Sequence, residues 1–156
     1  MALHHLLVRG IRSALADGED QLAAHLASLG HPAETVEHVR QTIEAMPGLL
    51  VALDRALWSR DAPLFARALY MVVLSYLIHD ENLIPTDERH PVLGLLDDTY
   101  LLHRAAQELR DYMTSVYMRS VDGGVDLLTR VLPTDVTARL DAKILAAVGT
   151  AEQMSR

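Results

Sequence analysis

The composition of this chain is most informative in what it lacks, and cysteine comes first, since none of the 156 residues is one. Without a thiol, disulfides, thiolate metal sites and cysteine nucleophiles are all excluded. The absence also fits a reducing compartment, and we expect a cytoplasmic protein. Lysine is nearly absent as well, and the setting of Lys143 in an ordinary amphipathic stretch argues against a Schiff-base mechanism.

Basic residues are fewer than acidic residues in this chain. The chain carries 14 Lys and Arg residues against 21 Asp and Glu residues, a net charge of −7. No basic stripe is present that could neutralise a phosphate backbone. We therefore expect no nucleic-acid partner.

No hydrophobic run is long enough to span a membrane. The most apolar window, Pro63–Ile78, would extend about 24 Å as a helix, against the roughly 30 Å of a bilayer core, and it contains Arg67. We interpret it as a buried core helix. Arg9 and Arg12 interrupt the apolar stretch at the N-terminus, so Met1–Asp17 is interpreted as part of the mature protein rather than as a signal peptide.

The common catalytic motifs are also missing. No Glu is followed by a His three residues later, as di-iron bundles require, and there is no HExxH, GxSxG, GxGxxG or Walker sequence. These absences argue against the usual forms of ferritin-like, zinc-protease, hydrolase and nucleotide-binding proteins.

What the sequence does contain is helical periodicity along almost its whole length. Apolar residues recur at three- and four-residue spacing, and no alternating, β-branched stretch is found. The pattern predicts one all-α domain over residues 1–156, a compact bundle of five to seven helices. We expect Pro63–Ile78 to be its buried central helix, because apolar residues cover nearly the whole circumference of that segment.

Proline, glycine and capping residues indicate where the helices end. We expect a break at Asp17–Gly18, a stop at Gly30 and a kink or split at Pro47–Gly48. Pro91 is expected in the first turn of a long helix that extends to Tyr117, packed against the central helix. Three further signals complete the prediction: Gly123–Gly124 as the end of the main body, Thr134 as the cap of the last helix, and Gly149 as its end.

Negative charge is concentrated in one segment, residues 79–98. Six acidic residues lie there against a single Arg89, which gives −5 over twenty residues. The acidic residues are Asp80, Glu81, Asp87, Glu88, Asp97 and Asp98, and His79 and His90 lie among them.

The same region resembles a known family. Leu83–Pro85 (Leu-Ile-Pro), followed by Pro91–Asp98 (Pro-Val-Leu-Gly-Leu-Leu-Asp-Asp), is similar to the signature of the YkvA-like bacterial family of unknown function. The resemblance covers Leu69–His103, and it departs from the family pattern at Asn82 and Thr86, where the family has Asp. It implies a helical fold and a functional spot in this segment, and it implies no reaction.

Asp97 and Asp98 allow two interpretations. Apolar residues surround them at helical spacing, so at least one carboxylate is expected to point toward the core, where Arg67 is the candidate partner in a structural Arg67–Asp98 ion pair. Alternatively, the segment could hold a divalent metal (Mg, Mn, Fe or Zn), because carboxylate and imidazole ligands suit these ions. The candidate ligands are His79, Asp80, Asp87, Glu88, His90, Asp97 and Asp98.

Two functional hypotheses follow for this segment. The first is a non-enzymatic binding or adaptor module that contacts a protein partner or a small molecule through residues 79–98. The second is a small metal-assisted or acid–base enzyme, with Asp97, Asp98 or His90 as the catalytic candidates. An exposed apolar patch rimmed by acidic residues would favour the first, and convergent polar side chains around a pocket would favour the second. We expect His103, on the long helix, to face solvent or to cap.

Overall fold

The computed structural model describes residues 2–59, 61–78 and 91–156, and within these ranges the chain is helical, with no β-strand. The described residues form seven α-helices and one short 3-10 helix, Arg110–Tyr112. The α-helices are α1 (Ala2–Ser28), α2 (Ala33–Glu44), α3 (Met46–Leu57), α4 (Leu64–Ile78), α5 (Pro91–Glu108), α6 (Ser115–Val131) and α7 (Thr134–Met154). The prediction of an all-α bundle is confirmed. None of these helices combines the length and apolarity that a bilayer crossing needs.

The N-terminal helix is longer than expected. The predicted break at Asp17–Gly18 is wrong, because α1 continues through Gly18 to Ser28. Ile11, Leu15, Leu22 and Leu26 are buried along one face, and this burial outweighs the roughly 1 kcal/mol that a glycine costs inside a helix. The stop at Gly30 is confirmed, since its φ of +85° is a left-handed conformation that suits a glycine after a helix end.

The split at Pro47 is also confirmed. Helix α2 ends at Glu44, Ala45 lies between the two helices, and Pro47 occupies the first turn of α3. Proline is tolerated there because its missing amide hydrogen would have no intrahelical acceptor. The buried face nevertheless runs on through both helices, from Val39 and Ile43 to Leu50, Leu53 and Leu57.

A buried helix does lie at the centre of the bundle, but it is α5 rather than the expected segment 63–78. Helix α5 packs against each of the other six α-helices. Helix α4 buries Leu69, Tyr70 and Val73, whereas Leu64 and Met71 on its outer face are 60% and 44% exposed. An all-round apolar pattern does not require all-round burial, because much of any protein surface is apolar.

The C-terminal half also differs from the expected boundaries. Helix α5 ends at Glu108 instead of reaching Tyr117, and the Thr114 side chain accepts a hydrogen bond from the Tyr117 amide at the start of α6. Helix α6 runs through Gly123–Gly124 without ending. Helix α7 begins at Thr134, with Pro133 in the cap position, and it continues past Gly149. Glycine alone therefore terminates neither α6 nor α7.

Candidate functional site

Most of the predicted acidic site lies outside the described residues. His79, Asp80, Asp87, Glu88 and His90 all belong to that part of the chain. Asp97 and Asp98 are described, and α5 carries both within two turns of its first residue, Pro91.

The two aspartates differ in their environment. Successive residues on a helix are rotated by about 100°, so neighbouring carboxylates point in different directions. Asp97 is buried, with 3% of its surface exposed, whereas Asp98 is half-buried. The structure thus separates two residues that the sequence treats as one cluster.

Asp98 lies in an otherwise apolar hollow of about 180 Å³, which we call the Asp98 groove. Helices α1, α3, α4 and α5 form its walls. The other lining residues are Leu6, Leu7, Gly10, Ile11, Met46, Leu77 and Leu95. Leu6, at this groove, is 62% exposed although it is a large apolar residue. The arrangement places one carboxylate beside an accessible hydrophobic surface.

The metal hypothesis concerns mainly the undescribed part of the segment. Within the ranges that the structure covers, no three or more His, Asp or Glu side chains come together in a way that could hold an ion. A site for Mg, Mn, Fe or Zn, with Asp97 and Asp98 among its ligands and His90 as a catalytic candidate, therefore stays a prediction.

Arg67 has partners other than the expected Asp98. Its guanidinium donates hydrogen bonds to the carbonyl oxygens of Leu57, at 2.8 Å from Nε, and Ser59, at 2.5 Å from Nη2. It also stacks over the Trp58 ring, 5.7 Å from the ring centre. The carbonyl groups at a helix C-terminus lack intrahelical donors and carry partial negative charge, so a cation is favoured there. Arg67 thus connects the end of α3 to the first turn of α4. The predicted Arg67–Asp98 pair is not among the ion pairs of the described residues.

A second polar site lies on α5 where the sequence predicted an exposed residue. His103 is buried, with 4% of its surface exposed, so the expectation that it faces solvent or caps is wrong. Its Nδ1 lies 2.7 Å from the Thr99 carbonyl oxygen, which can only accept, so Nδ1 carries the hydrogen and donates it. Burial lowers the pKa of His103 below its ordinary value, and the hydrogen bond to Thr99 opposes this shift only in part.

A glycine on the neighbouring helix makes room for this imidazole. A Cβ atom added at Gly124 would lie 2.8 Å from Cδ2 and 3.0 Å from Nε2 of His103. Both distances are shorter than van der Waals contact. Gly124 is therefore required for the close approach of α6 to α5, and the Nε2 edge of the ring lies against its backbone.

His103 forms the floor of a cleft between α2, the start of α3 and α6, which we call the His103 cleft. Two adjoining hollows make up the cleft, of about 240 and 280 Å³, and both are lined by Ala45, His103 and Ser120. The first is otherwise lined by Leu49, Val116, Tyr117 and Val121, and the second by His38, Gln41, Thr42, Gly123 and Gly124. No Asp, Glu, Lys or Arg side chain lines either hollow.

A signal for the buried His103 was present in the sequence. Thr99 and His103 are four residues apart, and they fall within the same helical stripe as Leu95, Leu102 and Ala106, all of which are buried. A histidine among core positions must satisfy its polar atoms locally, and the Thr99 carbonyl does this. The facing Gly124 could not be identified, because nothing in the sequence pairs α6 with α5.

Comparison with protein-family models, with curated proteins and with solved structures finds no match to this chain. The resemblance to the YkvA-like family therefore stays a prediction.

Proposed function

We propose that this chain is a small cytoplasmic helical binding module that captures a short amphipathic segment of a partner protein. The segment would carry an arginine or lysine beside its apolar side chains. The observation that carries this proposal is the Asp98 carboxylate in a groove whose other lining residues are apolar or glycine. A cation beside an apolar surface complements such a groove in both charge and hydrophobicity.

The exposure of Leu6 supports a protein ligand. Large apolar side chains that remain accessible at a concave surface are typical of interaction sites. Leu6 is 62% exposed at the groove, and Ile78, which follows the lining residue Leu77, is 41% exposed. A partner that covered these side chains would gain about 25 cal/mol for each Å² of apolar surface removed from water.

The charge of the adjoining sequence supports a cationic partner. Residues 79–98 carry a net charge of −5, and Leu77 and Leu95 of the groove lie on either side of residues 79–90 in the chain. Negative charge near a binding surface speeds the encounter with a cationic partner and disfavours an anionic one. The acidic segment would thus contribute to selection even without direct contact.

The test uses three amphipathic helical peptides that share their apolar residues and carry Arg, Gln or Glu at one position beside them. Fluorescence anisotropy should rank their affinities Arg over Gln over Glu. The difference should shrink at high salt, because counterions screen the charges. Asp98→Asn should reduce the advantage of the Arg peptide over the Gln peptide.

A pair of variants controls for non-specific adhesion. Leu6→Asp should weaken binding of all three peptides, whereas Leu145→Asp should not, because Leu145 is equally accessible, at 68% exposure, but lies on α7 outside the groove. Equal binding of the three peptides, or equal effects of the two variants, would refute the proposal.

A further inference from the structure

Of the two nitrogens of the His103 ring, Nδ1 forms a hydrogen bond within the protein and Nε2 does not. Nδ1–H donates to the Thr99 carbonyl, and this fixes the neutral ring in the tautomer whose Nε2 carries a lone pair and no hydrogen. Because burial lowers the pKa of His103, the ring is neutral at pH 7 and Nε2 is an acceptor. Among the residues that the structure describes, no donor hydrogen-bonds to this atom.

The position of Nε2 places it at the cleft. The atom lies against Gly124, which lines the second hollow, and His103 lines both hollows. Nε2 is not among the fully buried, unpartnered polar atoms of the described residues, so a donor that enters the cleft can reach it. The absence of a Cβ at Gly124 allows the ring to pack this closely against α6.

The walls of the cleft restrict the chemistry of a ligand. No Asp, Glu, Lys or Arg side chain lines either hollow, so an ionised ligand would find no carboxylate, ammonium or guanidinium partner there. Leu49, Val116 and Val121 provide an apolar wall, and the Tyr117 ring offers an aromatic surface. Each hollow by itself is smaller than a pocket for a drug-sized ligand and suits a compound of one or two rings.

We propose that the His103 cleft binds a small neutral heteroaromatic compound whose N–H or O–H group donates a hydrogen bond to Nε2 of His103. The cleft shares no lining residue with the Asp98 groove, so this site is separate from the proposed peptide site. Its occupant is recognised by one donor on an apolar ring, and charge plays no part.

The test compares two probes, indole and N-methylindole, which differ in the ring N–H and in little else. Calorimetry with the whole chain should show indole binding about tenfold tighter, the factor that corresponds to about 1.4 kcal/mol. NMR of isotope-labelled protein should show the His103 Nε2 resonance shifting with indole and much less with N-methylindole. Equal affinities, or no binding of either probe up to its solubility limit, would overturn the proposal.

Variants sharpen the result. In His103→Asn, the side-chain amide can still donate to the Thr99 carbonyl, but the acceptor at the Nε2 position is lost, so the preference for indole should disappear. Gly149→Ala, on α7 and without neighbours within 4 Å of the added Cβ, is the matched control and should bind as the wild type does. A preference that persisted in folded His103→Asn would show that another group recognises the N–H. Should this variant fail to fold, the comparison of the two probes on the wild type decides alone.

Discussion

Helix α5 carries two stripes of polar side chains, and the two stripes obtain hydrogen-bond partners in different ways. The first stripe, Tyr100, Arg104 and Gln107, faces α6 and α7 at the edge of the core. The Tyr100 hydroxyl and Arg104 Nε both bond to Asp141, at 2.9 and 3.1 Å, and Gln107 accepts from Arg104 and donates to Asp122. The charged groups at this edge are paired, Arg104 with Asp141 and Asp122 with Arg110.

The second stripe, Thr99 and His103, is neutral and lies deeper. The Thr99 hydroxyl bonds to the Leu95 carbonyl of its own helix, and His103 bonds to the Thr99 carbonyl. A charge at this depth would be costly, and the lowered pKa of His103 keeps the ring neutral. Unused hydrogen-bonding capacity therefore need not lie where charge is densest. The polar groups of the charged stripe bond to one another and to Asp122 and Asp141, whereas His103 Nε2 has no donor among the described residues.

The largest expected effect comes from closing the space beside the neutral stripe. Gly124→Ala places a Cβ within 3.0 Å of His103 and should lower the free energy of unfolding by about 2 kcal/mol, as overpacking of a core commonly does. Urea denaturation monitored by circular dichroism measures this change.

Gly123→Ala is the control for that experiment. Gly123 lies in the same helix, and a Cβ there has no neighbour within 4 Å, so the change should stabilise α6 by up to about 1 kcal/mol. Opposite signs for adjacent glycines are the expected result. Stabilisation by both alanines would contradict the close approach of α6 to His103.

The second effect is a pH dependence that belongs to the neutral stripe. Because the pKa of His103 is lower in the folded protein than the ordinary value of about 6.5, the unfolded chain takes up the proton first as the pH falls. Stability should therefore be fully present above pH 6.5. Below it, stability should decline by up to about 1.4 kcal/mol per pH unit until the folded-state pKa is reached.

Thermal unfolding of the wild type and of His103→Asn at a series of pH values tests this sign. His103→Asn should lose the part of the decline in stability below pH 6.5 that comes from protonation of His103. His38→Asn removes an exposed imidazole from the same cleft and should keep it. Parallel curves for the wild type and His103→Asn would show that other groups cause the decline.

The difference between the two stripes also explains how far the sequence could predict the molecule. Helical periodicity is a local property, so the all-α fold and the split at Pro47 could be predicted correctly. Burial is a tertiary property, and it overrode local signals at Gly18 and Gly123–Gly124. It also made α5 rather than α4 the central helix.

The candidate sites also depend on tertiary contacts that the sequence does not show. Acidic residues attract attention in a sequence because they are rare in apolar stretches, and Asp98 does lie in a groove. The partner of Arg67 could not be predicted, since backbone carbonyls at a helix end compete with carboxylates and leave no trace in composition. His103 was missed because a histidine gives no sign of its depth until its neighbours on other helices are known.

A smaller effect should follow from breaking the charged stripe. Arg104→Gln removes the donor from Nε to Asp141, and we expect a loss of about 1 kcal/mol, because the Arg104 side chain is 20% exposed and that of Asp141 is 44% exposed. Solvent screening keeps this loss below that of Gly124→Ala. Urea denaturation at low and high salt checks both the size and the electrostatic origin. A loss as large as that of Gly124→Ala would mean that the charged stripe is the more critical of the two.

The smallest effect is expected next to the charged stripe, at Arg110 in the 3-10 helix. Arg110 contacts both oxygens of Asp122, at 3.0 and 2.7 Å, and these hydrogen bonds, followed by that from Gln107, hold the pKa of Asp122 below its ordinary value. The pair contributes stability above the ordinary carboxyl pKa of about 3.8 that is lost as the pH falls through the lower folded-state value. Arg110→Gln should raise the pKa of Asp122 in an NMR titration and leave the unfolding midpoint at neutral pH almost unchanged, because exposed ion pairs add little stability. A midpoint shift as large as that of Arg104→Gln would show that the exposed Arg110–Asp122 pair stabilises the fold as much as the half-buried Arg104 does. The two stripes would then differ in how completely their polar groups are hydrogen-bonded, and not in how deeply they are buried.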